Sequence, residues 1–132
     1  MVNLNIRILP GDTIRSVQQH IRETINNPDI QINIVDGAYE PAPVSRVDNE
    51  IYRQIEKSIY QVYPDVLVAP GLVLAATDSR HYKNLSNHIY RFMPLRLSKL
   101  DLSRIHGENE RILIQDYHAA IRFYWQLLVN LC

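Results

Sequence analysis

The chain has a single cysteine among its 132 residues. Because a disulfide needs two cysteines, an internal disulfide framework is excluded, and the redox environment stays open. The sequence also lacks an apolar run of the roughly 20 residues that a membrane-spanning helix needs. Its first residues lack the charged-then-apolar order of a secretory signal. These absences predict a soluble protein without a membrane partner. They do not fix the compartment, although the cytoplasm is favoured.

The chain has no excess of charge of either sign, with 14 basic residues against 14 acidic ones. A balanced surface offers no long-range attraction to phosphate backbones, so nucleic acid is not an expected partner. The apolar fraction of 46% is enough for a packed core in a chain of this length. The length and composition therefore predict globular material of the size of one ordinary domain.

The first third of the chain shows the pattern of a β-α-β unit. Apolar and polar residues alternate over residues 2–9 and 30–34, which predicts two strands, with Arg7 on the exposed side of the first. Between them, Asp12 or Thr13 can cap a helix, which Asn26-Asn27-Pro28 would end. Such a unit is half of a small two-layer domain. The apolar stripe of the helix consists of Ile14, Val17, Ile21 and Ile25.

Two prolines in residues 39–46 fix backbone dihedrals and withhold amide donors, which predicts an extended linker. We therefore divide the chain into residues 1–38, this linker, and residues 47–132. Both portions carry too few strands to complete a sheet, and together they predict an α/β fold. The elements predicted beyond the linker are a helix opened by Ser45 and Asp48 and closed by Pro64, a strand at 65–70, a short helix from Thr77 to about Leu85, a strand at 88–92, and a long helix from Asn109 onward.

A histidine precedes the last helix in the segment RIHGENERI, residues 104–112. His106 can be a metal ligand or an ordinary loop residue, and a zinc site is recognised only by its three or four ligands. The nearby Glu108 and Glu110 can serve the N-terminus of the helix through its dipole. None of the five histidines stands in an HExxH motif or with cysteines at zinc spacing. They are His20, His81, His88, His106 and His118.

The segment AATDSRHY, residues 75–82, is a second candidate site. A helix that starts at Thr77 with Arg80 one turn later can seat an anion or a carboxylate. The alternative is a helix cap followed by a solvated arginine. Arg7 has the same two interpretations, as a binding residue or as a surface charge. Taken singly, no segment decides between them.

Taken together and in order, NIRILPGD, YEPAP, PGLVLAATDSRHY, YRFMP, RIHGENERI and FYWQLLVN resemble the C-terminal part of the co-catalytic zinc aminoacylase/carboxypeptidase family. The greatest similarity is to its carboxypeptidase S and N-acyl-amino-acid hydrolase branch. The resemblance implies a zinc-exopeptidase-like sandwich, with a sheet between helices and an inserted α+β two-layer lid or dimerisation domain. Residues 1–38 would be the second half of the lid, and residues 47–132 the C-terminal part of the catalytic domain.

The resemblance also implies roles for individual residues. His106 would be a zinc ligand, and Glu110 would orient its loop. Arg80, Thr77 and Arg7 would bind the substrate, with Arg80 on its carboxylate. The other metal ligands of the family and its general base come from blocks that this sequence does not contain, so no catalytic residue is expected here. The two zinc ions of the complete enzyme would not be held by this chain alone.

The function implied is that of a fragment of a zinc-dependent metallopeptidase or aminoacylase. The complete enzyme would hydrolyse amide bonds of N-acyl amino acids or small peptides with a free carboxylate, using water activated between the zinc ions. The isolated chain is expected to be inactive. The alternative is a non-catalytic dimerisation or interaction remnant, and in either case a homodimer is expected. The preferred acyl group and side chain stay open.

Overall fold

The computed structural model describes residues 1–75 and 77–132, so Ala76, which is part of the AATDSRHY segment, lies outside the described residues. Within these ranges all regular secondary structure is helical. The elements are α1 (Ile14–Ile25), α2 (Glu50–Val62), a 3-10 helix (Asp78–Tyr82), α3 (Lys99–Leu102) and α4 (Ile114–Leu131).

The structure does not support the predicted sheet, because no residue of 1–75 or 77–132 lies in a strand. The segments expected to be strands, residues 2–9, 30–34, 65–70 and 88–92, are irregular. Alternation in a sequence reports which face a strand would bury, whereas a strand exists only when a neighbour completes its hydrogen bonds. The α/β sandwich and the two-layer lid are therefore corrected, for these residues, to helices joined by irregular segments.

Helix α1 begins and ends where the sequence predicts. The Thr13 hydroxyl accepts a hydrogen bond from the Ser16 amide at 3.0 Å, and the Ser16 hydroxyl accepts one from the Thr13 amide at 2.9 Å. This reciprocal capping satisfies two backbone donors that the helix leaves open. At the other end Asn26 adopts φ 45° and donates its amide to the Arg22 carbonyl at 2.9 Å. The local signals thus determined both boundaries.

Helices α2 and α4 begin later than predicted. The cap of α2 is Asn49, which accepts the Tyr52 amide at 3.0 Å, so Ser45 and Asp48 precede the helix. Asparagine caps as well as serine or aspartate does, and the sequence offered all three within five positions. Helix α4 cannot include Asn109, whose φ of 57° is left-handed, and it starts at Ile114 without a side-chain cap.

Two compact units account for the described chain. Unit 1 comprises residues 1–45 and 72–89, and unit 2 comprises residues 46–71 and 90–132. The grouping places residues 72–89 with the N-terminal portion, whereas the sequence assigned them to the C-terminal one. The limits of domains in a longer protein stay a prediction.

The core of unit 2 lies between α2 and α4. Its most deeply buried large side chain is Phe123, which is 1% exposed and stands edge-on to Phe92. The buried Tyr63 donates its hydroxyl to the Pro94 carbonyl at 2.6 Å. The Asn130 amide donates to the Ser58 hydroxyl at 2.7 Å. The buried cluster of Ile59, Ala119 and Phe123, with the hydrogen bond between Asn130 and Ser58, joins the two helices.

The opposite side of α4 carries large apolar side chains that remain exposed, with Trp125 69% exposed. Helix α4 is therefore apolar on more than the face that packs on α2, as is typical of a helix with a second partner. Among the described residues, no helix combines the length and the apolarity that a membrane crossing needs. The other exposed apolar residues of α4 include Tyr117, Ile121, Tyr124, Leu128 and Val129.

Candidate functional site

Thr77 caps the 3-10 helix that carries Arg80. Its hydroxyl accepts the Ser79 amide at 3.3 Å and lies 2.5 Å from the Ser79 hydroxyl. The predicted short helix is thus present as a single 3-10 segment that ends at Tyr82 rather than near Leu85. Thr77 has a local structural role, and its contact with a substrate stays a prediction.

The Arg80 side chain is exposed and is held by two neighbours. Its Nε donates to Nε2 of His81 at 3.2 Å, and its Cζ lies 5.2 Å from the centroid of the Tyr39 ring. Within residues 1–75 and 77–132, no protein group bonds to its Nη1 or Nη2. Those two groups form the planar fork that binds a carboxylate through parallel hydrogen bonds. The arrangement can therefore accept an anionic ligand.

Arg7 lies in the same compact unit as Arg80, in the exposed irregular segment that precedes α1. It makes no hydrogen bond or ion pair with any residue that the structure describes. The predicted strand with one buried face is absent here, since Leu4 and Ile6 on the supposed inner face are exposed as well. Its contact with a ligand stays a prediction.

His106 occupies a tight turn in unit 2. Its φ is 60°, and the following Gly107 donates its amide to the Arg104 carbonyl at 2.8 Å. A Cβ on Gly107 would lie 3.4 Å from the carbonyl oxygens of Arg104 and Ser103, so the turn leaves little space. A histidine in the left-handed region is uncommon and costs about 1–3 kcal/mol where it is held there. Asn26 and Asn109 share this left-handed conformation, so the backbone alone does not mark His106 as a functional residue.

The two glutamates after His106 do not serve the N-terminus of α4. Glu108 and Glu110 precede Ile114 by several residues, and the acid in the first turn is Asp116. The helix-dipole interpretation of this pair was therefore wrong, because it depended on a helix starting at Asn109. Both side chains are exposed. The role of Glu110 in orienting the loop stays a prediction.

The described residues do not form a metal site by themselves. No group of three or more histidine, cysteine, aspartate or glutamate side chains in this part of the chain is arranged to hold a metal ion. Zinc in proteins takes three or four protein ligands. One exposed imidazole at His106 does not fit a zinc ion on its own.

The sequence pattern did not identify Tyr39 as a site residue, and His81 was considered only as one of the five histidines. Tyr39 lies 41 positions before Arg80, so no local periodicity connects the two. The one sequence feature that could have pointed to Tyr39 is that this aromatic residue stands next to the proline-rich stretch. The structure shows that it faces the guanidinium from the stretch predicted to be a linker.

The electrostatics of unit 2 are set by surface ion pairs and by burial. The Arg46 guanidinium hydrogen-bonds the Asp48 carboxylate and lowers the pKa of Asp48 from 3.8 to about 2. Arg96 likewise lowers the pKa of Asp65 through paired hydrogen bonds. Burial raises the pKa of Tyr63. Local surface ion pairs and burial explain these pKa shifts, so the shifts give no sign of catalysis.

Comparisons with a family model and with individual relatives agree with each other. Residues 5–130 match the peptidase family M20/M25/M40. The chain is 39% identical over 127 residues to "Probable carboxypeptidase S-like 2" of Dictyostelium discoideum, covering 96% of this chain and 24% of that protein. It is 35% identical over 130 residues to "N-fatty-acyl-amino acid synthase/hydrolase PM20D1" of Mus musculus, covering 96% of this chain and 26% of that protein. The chain thus spans about a quarter of the length of these curated relatives. No solved structure matches it.

Proposed function

The chain belongs to the peptidase family M20/M25/M40, and from this membership we propose that it forms the C-terminal part of a zinc-dependent carboxypeptidase or aminoacylase. The proposed substrates are N-acyl amino acids or small peptides with a free carboxylate. The names of the relatives support this class, since they describe carboxypeptidases and N-fatty-acyl-amino acid hydrolases.

The observation that carries the proposal is the open guanidinium fork of Arg80. Two parallel N–H donors match the two oxygens of a carboxylate in distance and in plane. When Arg80 binds the carboxylate end of a substrate, the neighbouring amide bond would be held in a fixed position, and such positioning favours its hydrolysis. We assign Arg80 to that carboxylate and Arg7 and Thr77 to further substrate contacts.

For the metal, we propose that this chain donates one ligand, the imidazole of His106, to a zinc site of the complete enzyme. The remaining ligands and the general base would come from a part of the protein that this sequence does not contain. A single imidazole has too little affinity to retain zinc at physiological levels. The isolated chain is accordingly proposed to be inactive.

A chimera tests the proposal. In it, this chain replaces the matching segment of the Dictyostelium carboxypeptidase S-like protein, and the unmodified relative is the control. We expect the chimera to hydrolyse N-acyl amino acids. Arg80→Ala should lower kcat/KM for them by roughly 100-fold, because a charge-assisted paired contact of about 3 kcal/mol is lost. Bound zinc should stay unchanged in Arg80→Ala and fall in His106→Ala. An Arg80→Ala chimera that loses zinc and activity together would contradict the assigned roles.

A second candidate function, a non-catalytic interaction module, is favoured by one observation. The exposed apolar side of α4, with Trp125 at its centre, would be covered by self-association. Light scattering during size-exclusion chromatography of the 132-residue chain would show a dimer in that case. The matched Trp125→Glu variant would return it to a monomer. A wild-type monomer at high concentration would refute this alternative.

A further inference from the structure

The segment 40–45, which Tyr39 directly precedes, is held at both ends within unit 1. The Glu40 carboxylate accepts the Ile14 amide at 3.0 Å, which ties the start of the segment to α1. The Ser45 hydroxyl accepts the Ile89 amide and donates to the Ile89 carbonyl, each at 2.9 Å. The prolines between these anchors restrict the backbone further. Tyr39 directly precedes the first anchor, Glu40, so this restrained segment limits its position from the C-terminal side.

The restrained segment places the Tyr39 ring against one face of the Arg80 guanidinium. The separation of 5.2 Å is within the range of a cation–π contact. On the edge of the same group, Nε donates to His81 at 3.2 Å. The nearest acid in the segment, Glu40, accepts the amide of α1, and no ion pair joins it to Arg80 among the residues described. One face and one edge of the guanidinium are thus occupied, and the terminal fork is open.

We propose that Tyr39 and His81 are positioning residues that hold Arg80 in the orientation needed to bind a substrate carboxylate. The inference rests on the proposed function and adds to it two residues that act through Arg80. A free arginine side chain loses rotamer freedom when it binds a ligand, and a side chain already ordered by its neighbours loses less. The ring and the imidazole order the side chain without using the two Nη groups.

The orientation itself is tested on the 132-residue chain by NMR. The Nε–Hε signal of Arg80 is assigned by its loss in Arg80→Lys. The Tyr39 ring should shift this signal, and the shift should persist in Tyr39→Phe, which keeps the ring, and vanish in Tyr39→Leu. Since Tyr39 is 46% exposed, neither variant removes a core residue. An unchanged Nε–Hε signal in Tyr39→Leu would show that the Tyr39 ring does not contact Arg80 in solution.

Carboxylate binding is tested by titrating the same proteins with N-acetyl-L-leucine, with its amide as the control ligand. The wild type and Tyr39→Phe should bind the acid equally, and Tyr39→Leu should bind it roughly 2- to 5-fold more weakly, the loss of one exposed cation–π contact. His81→Gln, which retains an acceptor, should bind better than His81→Leu. The amide should perturb Arg80 in none of them.

The two possible failures are distinguishable. If the wild type binds the acid through Arg80 but Tyr39→Leu binds it with the same affinity, the positioning role is wrong and the proposed function stands. If the acid does not perturb Arg80 in the wild type at millimolar concentration, the assignment of Arg80 to the carboxylate is wrong, and the positioning role is refuted with it.

Discussion

Unit 2 has a buried core, and unit 1, within its described residues, has none. Every buried residue of the described chain belongs to unit 2, including Ile59 and Phe123. In unit 1 no residue of the apolar stripe of α1 is fully buried, and Ile25 is 40% exposed. Unit 1 is held instead by caps and single hydrogen bonds, such as that from Gln18 to the Ile32 carbonyl at 3.0 Å.

This difference separates the candidate site residues as well. Arg7, Thr77 and Arg80 belong to the unit without a core, and His106 belongs to the unit that has one. Regions with few buried apolar contacts open at low free energy. We therefore expect the stability of unit 1 to depend on individual polar contacts and that of unit 2 to depend on packing.

The largest expected loss of stability comes from a substitution in the core of unit 2. Phe123→Ala should lower the free energy of unfolding by about 3–5 kcal/mol, because it removes a fully buried aromatic ring and leaves a cavity. Urea denaturation followed by circular dichroism measures the loss. Trp125→Ala, on the exposed side of the same helix, is the matched control. Similar losses in both variants would contradict the placement of the core.

A smaller loss is expected from the buried hydroxyl of Tyr63. Tyr63→Phe removes the donor to the Pro94 carbonyl and should cost about 1–3 kcal/mol, since a buried acceptor is left without its partner. Tyr60→Phe, at a side chain 40% exposed, should have little effect. Equal stability of wild type and Tyr63→Phe in the same denaturation experiment would argue against this hydrogen bond.

In unit 1 the corresponding test concerns a cap. Thr13→Ala removes the acceptor for the Ser16 amide and should cost about 1 kcal/mol, and Thr13→Ser should preserve the cap. Hydrogen exchange is the measurement, because it reports α1 and α2 separately. Amides of α1 should exchange faster in Thr13→Ala while those of α2 stay unchanged. Equal acceleration in both helices would show that the units do not open independently.

The smallest effect concerns pH. Arg46 lowers the pKa of Asp48 from 3.8 to about 2, so the pair stabilises the folded state above the ordinary pKa. That contribution is lost as the pH falls from 3.8 through about 2. The pair is exposed, and screening keeps its effect on stability small. NMR titration should give a midpoint near 2 for Asp48 and return it toward 3.8 in Arg46→Ala. A wild-type midpoint at the ordinary value would contradict the pair.

The sequence predicted helices better than it predicted strands, for a physical reason. The boundaries of α1 depend on Thr13 and Asn26, whose side chains and backbone act within one turn. The sequence predicted the end, and it narrowed the start to Asp12 or Thr13. A strand depends on a partner elsewhere in the chain, and the alternating residues 2–9 could not reveal whether one exists. The short helix α3, capped by Ser98 and Asp101, was missed because four residues show no periodicity.

The candidate site follows the same division between local and distant contacts. Arg80 and its Thr77 cap are neighbours in sequence and were predicted as a unit. The segment after Tyr39 is held by hydrogen bonds from the Ile14 amide to Glu40 and from the Ser45 hydroxyl to the Ile89 carbonyl, which join distant positions. Sequence patterns indicate residue types and local turns, and they do not report which distant segments meet.

The most direct test of the account is the zinc content of the purified 132-residue chain, measured after dialysis together with its hydrolysis of an N-acyl amino acid. The account predicts far less than one zinc ion per chain and no turnover, because His106 is the single ligand that it assigns to this chain. Zinc bound close to one ion per chain, with turnover that His106→Ala abolishes, would contradict it.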